Sequence, residues 1–188
     1  MFTNVEIRSL EDWMKNPPKG TEWVDGKLIA KHPTVSIDDV RVEHQMTLKH
    51  SRIQASLAGD WKNYKEQQNL GGEVYTEAPC RTQKQGRKPD VAYLPPSLSS
   101  QFRDVDILPQ SFPLIAEIVS PTDFAENVIA KAQEYLQSGG EEVWLIFPES
   151  QWVIVITHSL RKVFVSSEVA ATQVVLPGFS IAVDQLLA

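Results

Sequence analysis

The sequence predicts an α/β (α+β) fold, with helices set among strands around a central sheet. Three observations predict it. Apolar residues recur at helical spacing in two separate stretches, 38–67 and 124–137. Short apolar runs bounded by turn residues fill most of the second half. No repeat, low-complexity tract or linker divides the 188 residues, so residues 1–188 are expected to form a single domain.

In chain order, Ser9-Leu-Glu-Asp has capping-box spacing and opens a short helix that Pro17-Pro18 stops. Asp25-Gly26 between apolar-rich flanks marks a hairpin, because both residues tolerate the positive φ of a tight turn. Asp38 to Gln67 reads as a long helix with Met46, His50, Ile53, Leu57, Trp61 and Tyr64 on one face. Residues 73–81 and 88–94 read as a hairpin around Lys84-Gln85-Gly86-Arg87, and the proline-rich 95–113 as an irregular excursion. Leu114 to Val119 is a buried strand. Ser120-Pro-Thr-Asp123 then opens a helix running to Gln137 and ending at Gly139-Gly140. Strands follow at 143–147, 152–157 and 162–166, an extended piece at 173–176 and a closing helix at 183–187.

Composition narrows the function classes. Hydrophobic residues make up 42% and charged residues 22%, which excludes a mainly disordered chain. Eighteen Lys and Arg against 24 Asp and Glu give a formal charge of −6, unlike a protein that coats nucleic acid through bulk positive charge. A lone cysteine, Cys80, excludes an intramolecular disulfide and a multi-cysteine zinc site. No apolar run reaches the roughly 18 residues of a membrane helix, and the start is acidic where a signal peptide would be basic and then apolar. The expectation is a soluble cytoplasmic protein without membrane contact.

Glu117 is the most informative residue. It sits in Leu-Ile-Ala-Glu-Ile-Val, apolar on both sides, so the strand should be buried on both faces. An ionised carboxylate there costs several kcal/mol unless a cation compensates. Either an internal salt bridge or a metal would serve. Asp90, after Pro89 and opening Val-Ala-Tyr-Leu, is the second candidate, although aspartate beside proline is also ordinary turn chemistry. Two carboxylates at adjacent strand ends, with a main-chain carbonyl and waters, form the hydrated oxygen site that Mg²⁺ prefers. Lys131 falls on the rim of the apolar arc of its helix, where it either snorkels to solvent or carries its ammonium toward the sheet.

In order, Glu22-Trp-Val-Asp-Gly-Lys-Leu, His50-Ser-Arg-Ile, Arg87-Lys-Pro-Asp90-Val-Ala-Tyr, Glu117-Ile-Val-Ser-Pro and Lys131-Ala-Gln-Glu-Tyr135-Leu stand along the chain. Taken together they resemble the putative restriction endonuclease family common in cyanobacteria. Val143-Trp-Leu-Ile-Phe-Pro and Leu176-Pro-Gly-Phe are similar to its closing segments. The resemblance runs from about Thr21 to the C-terminus. It implies the PD-(D/E)xK nuclease superfamily: a restriction-endonuclease-like fold with a mixed sheet flanked by helices, and Mg²⁺- or Mn²⁺-dependent hydrolysis of phosphodiester bonds.

By position, the resemblance makes Asp90 and Glu117 the metal carboxylates, with the Ile118 main-chain carbonyl as a third ligand. The superfamily lysine normally follows the second acid by two residues. Val119 stands there, so the resemblance moves that role to Lys131. Glu22 and Tyr135 become possible additions to the site. Glu22 could equally be a solvent-facing hairpin residue, and His50 could either line the site or be a hydrogen-bonded core histidine. Arg81, Lys84, Arg87 and Lys88 form a basic cluster just before Asp90 that could grip phosphates, or that could protect a sheet edge.

DNA is the expected substrate and a homodimer the expected assembly. The alternatives are a catalytically degenerate relative that binds nucleic acid or protein, and a general hydrolase or small-molecule binder built on the same carboxylates.

Overall fold

Ser9 opens the first helix as its spacing predicts: in the computed structural model its hydroxyl accepts from the Asp12 N–H, capping α1 (Leu10–Lys15). The structure describes residues 7–31, 34–37, 40–43 and 47–188, with backbone alone for 34–37 and 40–43. Strands β1 (Thr21–Val24) and β2 (Lys27–Ala30) pair antiparallel across Asp25 and Gly26, both at positive φ (49° and 76°). That is the turn the Asp-Gly pair predicts.

The long predicted helix is shorter than expected. Instead β3 (Thr34–Ile37) pairs antiparallel with β4 (Val40–Glu43), and α2 spans only Leu48–Gln67. The reason is local. Thr-Val-Ser-Ile and Val-Arg-Val-Glu alternate β-branched with polar residues, a strand pattern, and the Thr47 hydroxyl caps α2 by accepting from the His50 N–H. Asp38 and Met46 lie outside the described residues.

The predicted hairpin over 73–94 is broken in two. Its outer half, β5 (Glu73–Thr76) with β8 (Val91–Leu94), belongs to the main sheet; its inner half, β6 (Cys80–Arg81) with β7 (Gly86–Arg87), joins β1 and β2. Pro79 and Pro89 lie in the two breaks, where ladder donors are missing. Glu77, at φ 55°, turns the chain between the sheets.

After the short α3 (Pro96–Gln101), β9 (Leu114–Ile118) enters the core with every residue buried. Ser120 to Asp123 does not begin the next helix. The Asp123 carboxylate accepts from the Ser120 N–H, but the Ser120 hydroxyl turns to Thr122, so half a capping box closes only a turn. Helix α4 runs Ala125–Leu136, and the Gly140 N–H bonds back to the Tyr135 carbonyl to end it.

The last third of the chain supplies β10 (Glu142–Phe147), β11 (Trp152–Thr157), β12 (Arg161–Phe164), β13 (Val169–Ala171), β14 (Ser180–Ala182) and α5 (Val183–Leu187). Residues 173–176 are a loop rather than an extended strand. The N–H groups of Gln173, Val174 and Val175 all donate to Glu142 Oε2, which curls the segment around a buried carboxylate.

The main sheet has the order β12-β11-β10-β9-β8-β5 and is mixed: β9 and β10 are parallel, the other neighbours antiparallel. Helices α2 and α5 cover one face, packing Ile53, Leu57, Trp61 and Leu186 on Val91, Ala116, Trp144 and Ile146. Helix α4 covers the other, with Ala132, Tyr135 and Leu136 on Ala92, Ile115, Val143 and Leu145. This is the α/β (α+β) architecture expected, a mixed sheet flanked by helices. Among the described residues no helix is long and apolar enough to cross a membrane.

Candidate active site

Asp90 and Glu117 meet across one strand pair. Val91 on β8 pairs with Ala116 on β9, so Asp90, one step earlier, stands opposite Glu117, one step later. Side-chain alternation puts Glu117 on the face of Ile115, under α4. The Ile118 N–H donates to Asp90 Oδ2 over 2.7 Å, fixing that carboxylate against the end of β9. Both acids are buried, at 1% and 8% exposure.

Helix α4 delivers two groups to Glu117. Lys131 and Tyr135 are four residues apart and so share a helix face. The Lys131 ammonium lies 3.0 Å from Glu117 Oε1, and the Tyr135 hydroxyl donates to the same oxygen over 2.7 Å. The Lys131 ammonium also pairs with Glu22 Oε1 at 3.2 Å. Glu22 is 3% exposed, so it is an internal residue of β1 rather than a solvent-facing one. Its carboxylate further accepts from the Lys88 N–H and from Arg87.

Four side chains of the cluster, Lys31, Glu77, Gln54 and Glu134, carry no sequence signal. Lys31, just beyond β2, pairs with Asp90 Oδ1 at 2.7 Å and with Glu77 Oε1 at 2.6 Å. Gln54, from α2, donates to the Asp90 carbonyl over 2.9 Å and to Glu77. Glu134 forms the outer partner of Arg87. His50 comes to the same place, with Nε2 3.4 Å from Asp90 Oδ2.

The expected basic surface cluster is largely turned inward. Arg87 is clamped between Glu22 and Glu134, and the Lys88 ammonium donates to the Pro18 carbonyl beside the Trp13 ring. The physical reason is the break at Pro89, which swings residues 86–88 under β1 instead of out around a turn. Arg81 is half-buried and pairs with Glu11, which leaves Lys84 as the exposed member.

Charge states follow from these contacts. Burial pushes the Asp90 carboxyl up, but Lys31 and His50 outweigh it and hold it well below the usual range. Burial likewise raises Glu22, yet Lys131 and Arg87 bring it down to about 2. Glu117 behaves oppositely: burial raises it, Lys131 offsets only part of that, and the Asp90 charge adds to it. Burial works against the Lys131 ammonium, but Glu117 and Glu22 raise its pKa and keep it charged. Burial pushes the Cys80 thiol far up, which removes it as a thiolate nucleophile.

The donor set bears on a divalent cation. Among the described residues no three His, Cys, Asp or Glu side chains are grouped as a ready-made metal cage. Asp90 and Glu117 nevertheless face each other, with the Ile118 main chain beside them, and Lys131 and Tyr135 both meet Glu117 at Oε1. Two carboxylates with a main-chain carbonyl suit Mg²⁺, which keeps several of its own waters. The residues fit such an ion. A cleft of about 180 Å³ bounded by Val119, Ser120, Phe147 and Glu149 lies just past the ends of β9 and β10. Neither it nor a cleft of about 230 Å³ between Asp60, Tyr64, Phe179 and Gln185 is lined by Asp90, Glu117 or Lys131.

Comparison with known proteins agrees with this architecture. A crystal structure described as a putative nuclease belonging to DUF820, from Anabaena variabilis, superposes with a TM-score of 0.76, covering 95% of this chain and 97% of its own at 20% identity. That likeness shows a common fold. No curated protein matches the chain. Residues 6–184 match the Uma2 family, described as "Putative restriction endonuclease", and the chain belongs to that family.

Proposed function

We propose that this protein is a metal-dependent endonuclease that hydrolyses DNA phosphodiester bonds through a PD-(D/E)xK-type site. Asp90, Glu117 and Lys131 form the catalytic set, and Mg²⁺ or Mn²⁺ is the cofactor. The observation that carries the reading is the Lys131 ammonium 3.0 Å from Glu117 Oε1. It brings a lysine to the second acid from a neighbouring helix, although Val119 stands where the strand lysine would be.

Asp90, Glu117 and the Ile118 carbonyl would hold the ion, which would supply Lewis acidity for the hydrolysis. Lys131 orients the attacking water and meets the negative charge that grows on the phosphate. Tyr135 and Glu22 keep Glu117 and Lys131 in register, and the Ile118 N–H fixes Asp90. Arg81 and Lys84 remain for backbone phosphates. The exposed strands β2 and β12 leave room for a homodimer, and the cytoplasm is the proposed location.

The test is conversion of supercoiled plasmid to open-circle or linear DNA in Mg²⁺. Asp90→Ala, Glu117→Ala and Lys131→Met should each lose about 100-fold or more, while the surface control Lys62→Ala cleaves as the wild type does. Equal cleavage by all variants would trace the activity to a contaminant. One alternative has observations of its own. Lys31 already pairs with Asp90, and Arg87 and Lys88 point inward, as in a family member that binds nucleic acid or protein without cutting. Plasmid retained but never nicked would favour that reading.

A further inference from the structure

We infer that Lys31 is a built-in competitor for the divalent ion: its ammonium occupies the Asp90 oxygen that an ion must use, and Glu77 is the acceptor to which it withdraws. The inference rests on Asp90 and Glu117 being the metal carboxylates, as proposed above.

The two oxygens of Asp90 have different partners. Oδ2 accepts from the Ile118 N–H at 2.7 Å and has His50 Nε2 at 3.4 Å, so it faces the protein. Oδ1 is the oxygen left to point into the site, and Lys31 Nζ lies 2.7 Å from it. A divalent ion on Oδ1 would sit within a few ångströms of that ammonium, where like charges in a dry pocket repel strongly. The two cations therefore exclude each other from Oδ1. At Glu117 the contacts of Lys131 and Tyr135 share Oε1, so neither stands on the other oxygen.

Glu77 gives the displaced ammonium somewhere to go. Lys31 Nζ is already 2.6 Å from Glu77 Oε1, and the Glu77 side chain is 31% exposed against 2% for Asp90. Retreat toward Glu77 keeps one ion pair and exchanges the other for water. The path is short because the ammonium already touches both carboxylates, and Gln54 holds Glu77 beside the Asp90 main chain by donating to the Glu77 carboxylate and the Asp90 main-chain carbonyl. The Lys31 main chain stays put, its N–H donating to the Gly20 carbonyl over 2.9 Å. The side chain alone moves. Lys31 thus sets how much free cation is needed to fill the site.

Calorimetric titration of the metal-free protein with Mn²⁺ reads this directly, without cleavage. Lys31→Met should bind Mn²⁺ about tenfold tighter than the wild type, the scale on which groups contacting ligands alter metal affinity. Glu77→Gln leaves Lys31 with Asp90 alone and should bind severalfold more weakly. It also keeps Asp90 paired, so it folds and decides the matter should Lys31→Met not fold. Asp90→Asn should lose binding. Wild-type affinity in Lys31→Met, or in Glu77→Gln, overturns the competitor role while the loss in Asp90→Asn leaves the metal site standing. No Mn²⁺ binding by the wild type or by Lys31→Met overturns both.

Discussion

Tyr135 donates its hydroxyl to Glu117 Oε1 over 2.7 Å, with the tyrosine fully buried and the glutamate nearly so. One turn earlier on α4, Lys131 reaches the same oxygen. A single helix face thus fixes the acid that the core strand carries. Tyr135→Phe keeps the ring in the core and removes only the donor. It should cost about 1–3 kcal/mol in urea unfolding, the penalty for a buried acceptor losing its partner. Plasmid cleavage should fall with it while the substrate concentration for half-maximal rate stays put. With its ring fully buried, the tyrosine acts on the site through Glu117 alone.

Glu22 and Glu117 should respond to pH in opposite senses. The Glu22 carboxyl is lowered from 4.5 to about 2 by Lys131 and Arg87 despite burial. Its charge-dependent stabilisation is full above 4.5 and is lost as pH falls through about 2. Glu22→Gln should therefore melt below the wild type at pH 7, with the gap closing toward pH 2. Glu117 is raised above 4.5 by burial. Its contribution is full below 4.5 and is lost as pH rises through the folded value. Glu117→Gln should gain on the wild type between pH 4 and pH 8. Circular-dichroism melts from pH 2 to pH 8 check both slopes.

These two acids also mark what the sequence can and cannot reveal. Glu117 is legible because an acid inside Leu-Ile-Ala-Glu-Ile-Val breaks a fully buried pattern. The Asp25-Gly26 hairpin and the apolar arc of α4 are legible because their causes lie within a few residues. Lys31 and Glu77 stand at strand ends, where a charged residue looks exposed. Their meeting beside Asp90 arises only when the 73–94 hairpin splits between two sheets. Pro79 and Pro89 were the signal for that split. Arg87 and Lys88 look like a surface charge run because their acceptors, Glu22 and Pro18, are about 65–70 residues away in sequence.

Gly86 tests the contact between the small sheet and α1. It pairs with Trp23 on β1, and a Cβ built on it would lie 2.3 Å from Cε3 of the buried Trp13. Trp13 is fully buried and cannot swing aside. Gly86→Ala should cost about 1–3 kcal/mol, the range for an overpacked core. Urea unfolding measures it. Because Arg87 follows directly, the shift should also blue- or red-shift tryptophan fluorescence while α4 keeps its helical signal.

Arg87 separates a structural cation from a phosphate-binding one. Its guanidinium engages Glu134 through Nε and Nη2 and Glu22 through Nη1, with the side chain 11% exposed. Removing it takes the guanidinium from two carboxylates, leaving buried Glu22 to Lys131 and the Lys88 N–H and Glu134 to the Thr82 hydroxyl. Arg87→Met should cost about 3–5 kcal/mol, as breaking a buried ion pair does. Arg87→Lys should recover little, since an ammonium cannot span both acids as a fork. Pairing Arg87→Met with Glu134→Gln should restore part of the loss by removing one stranded charge. Lys84, exposed on the same turn, should behave in reverse: Lys84→Ala leaves the urea midpoint unchanged and weakens plasmid binding at low salt. If Arg87→Met instead unfolded like the wild type while losing DNA affinity, the guanidinium would face solvent, and the clamp on Glu22 that holds Lys131 over Glu117 would not exist.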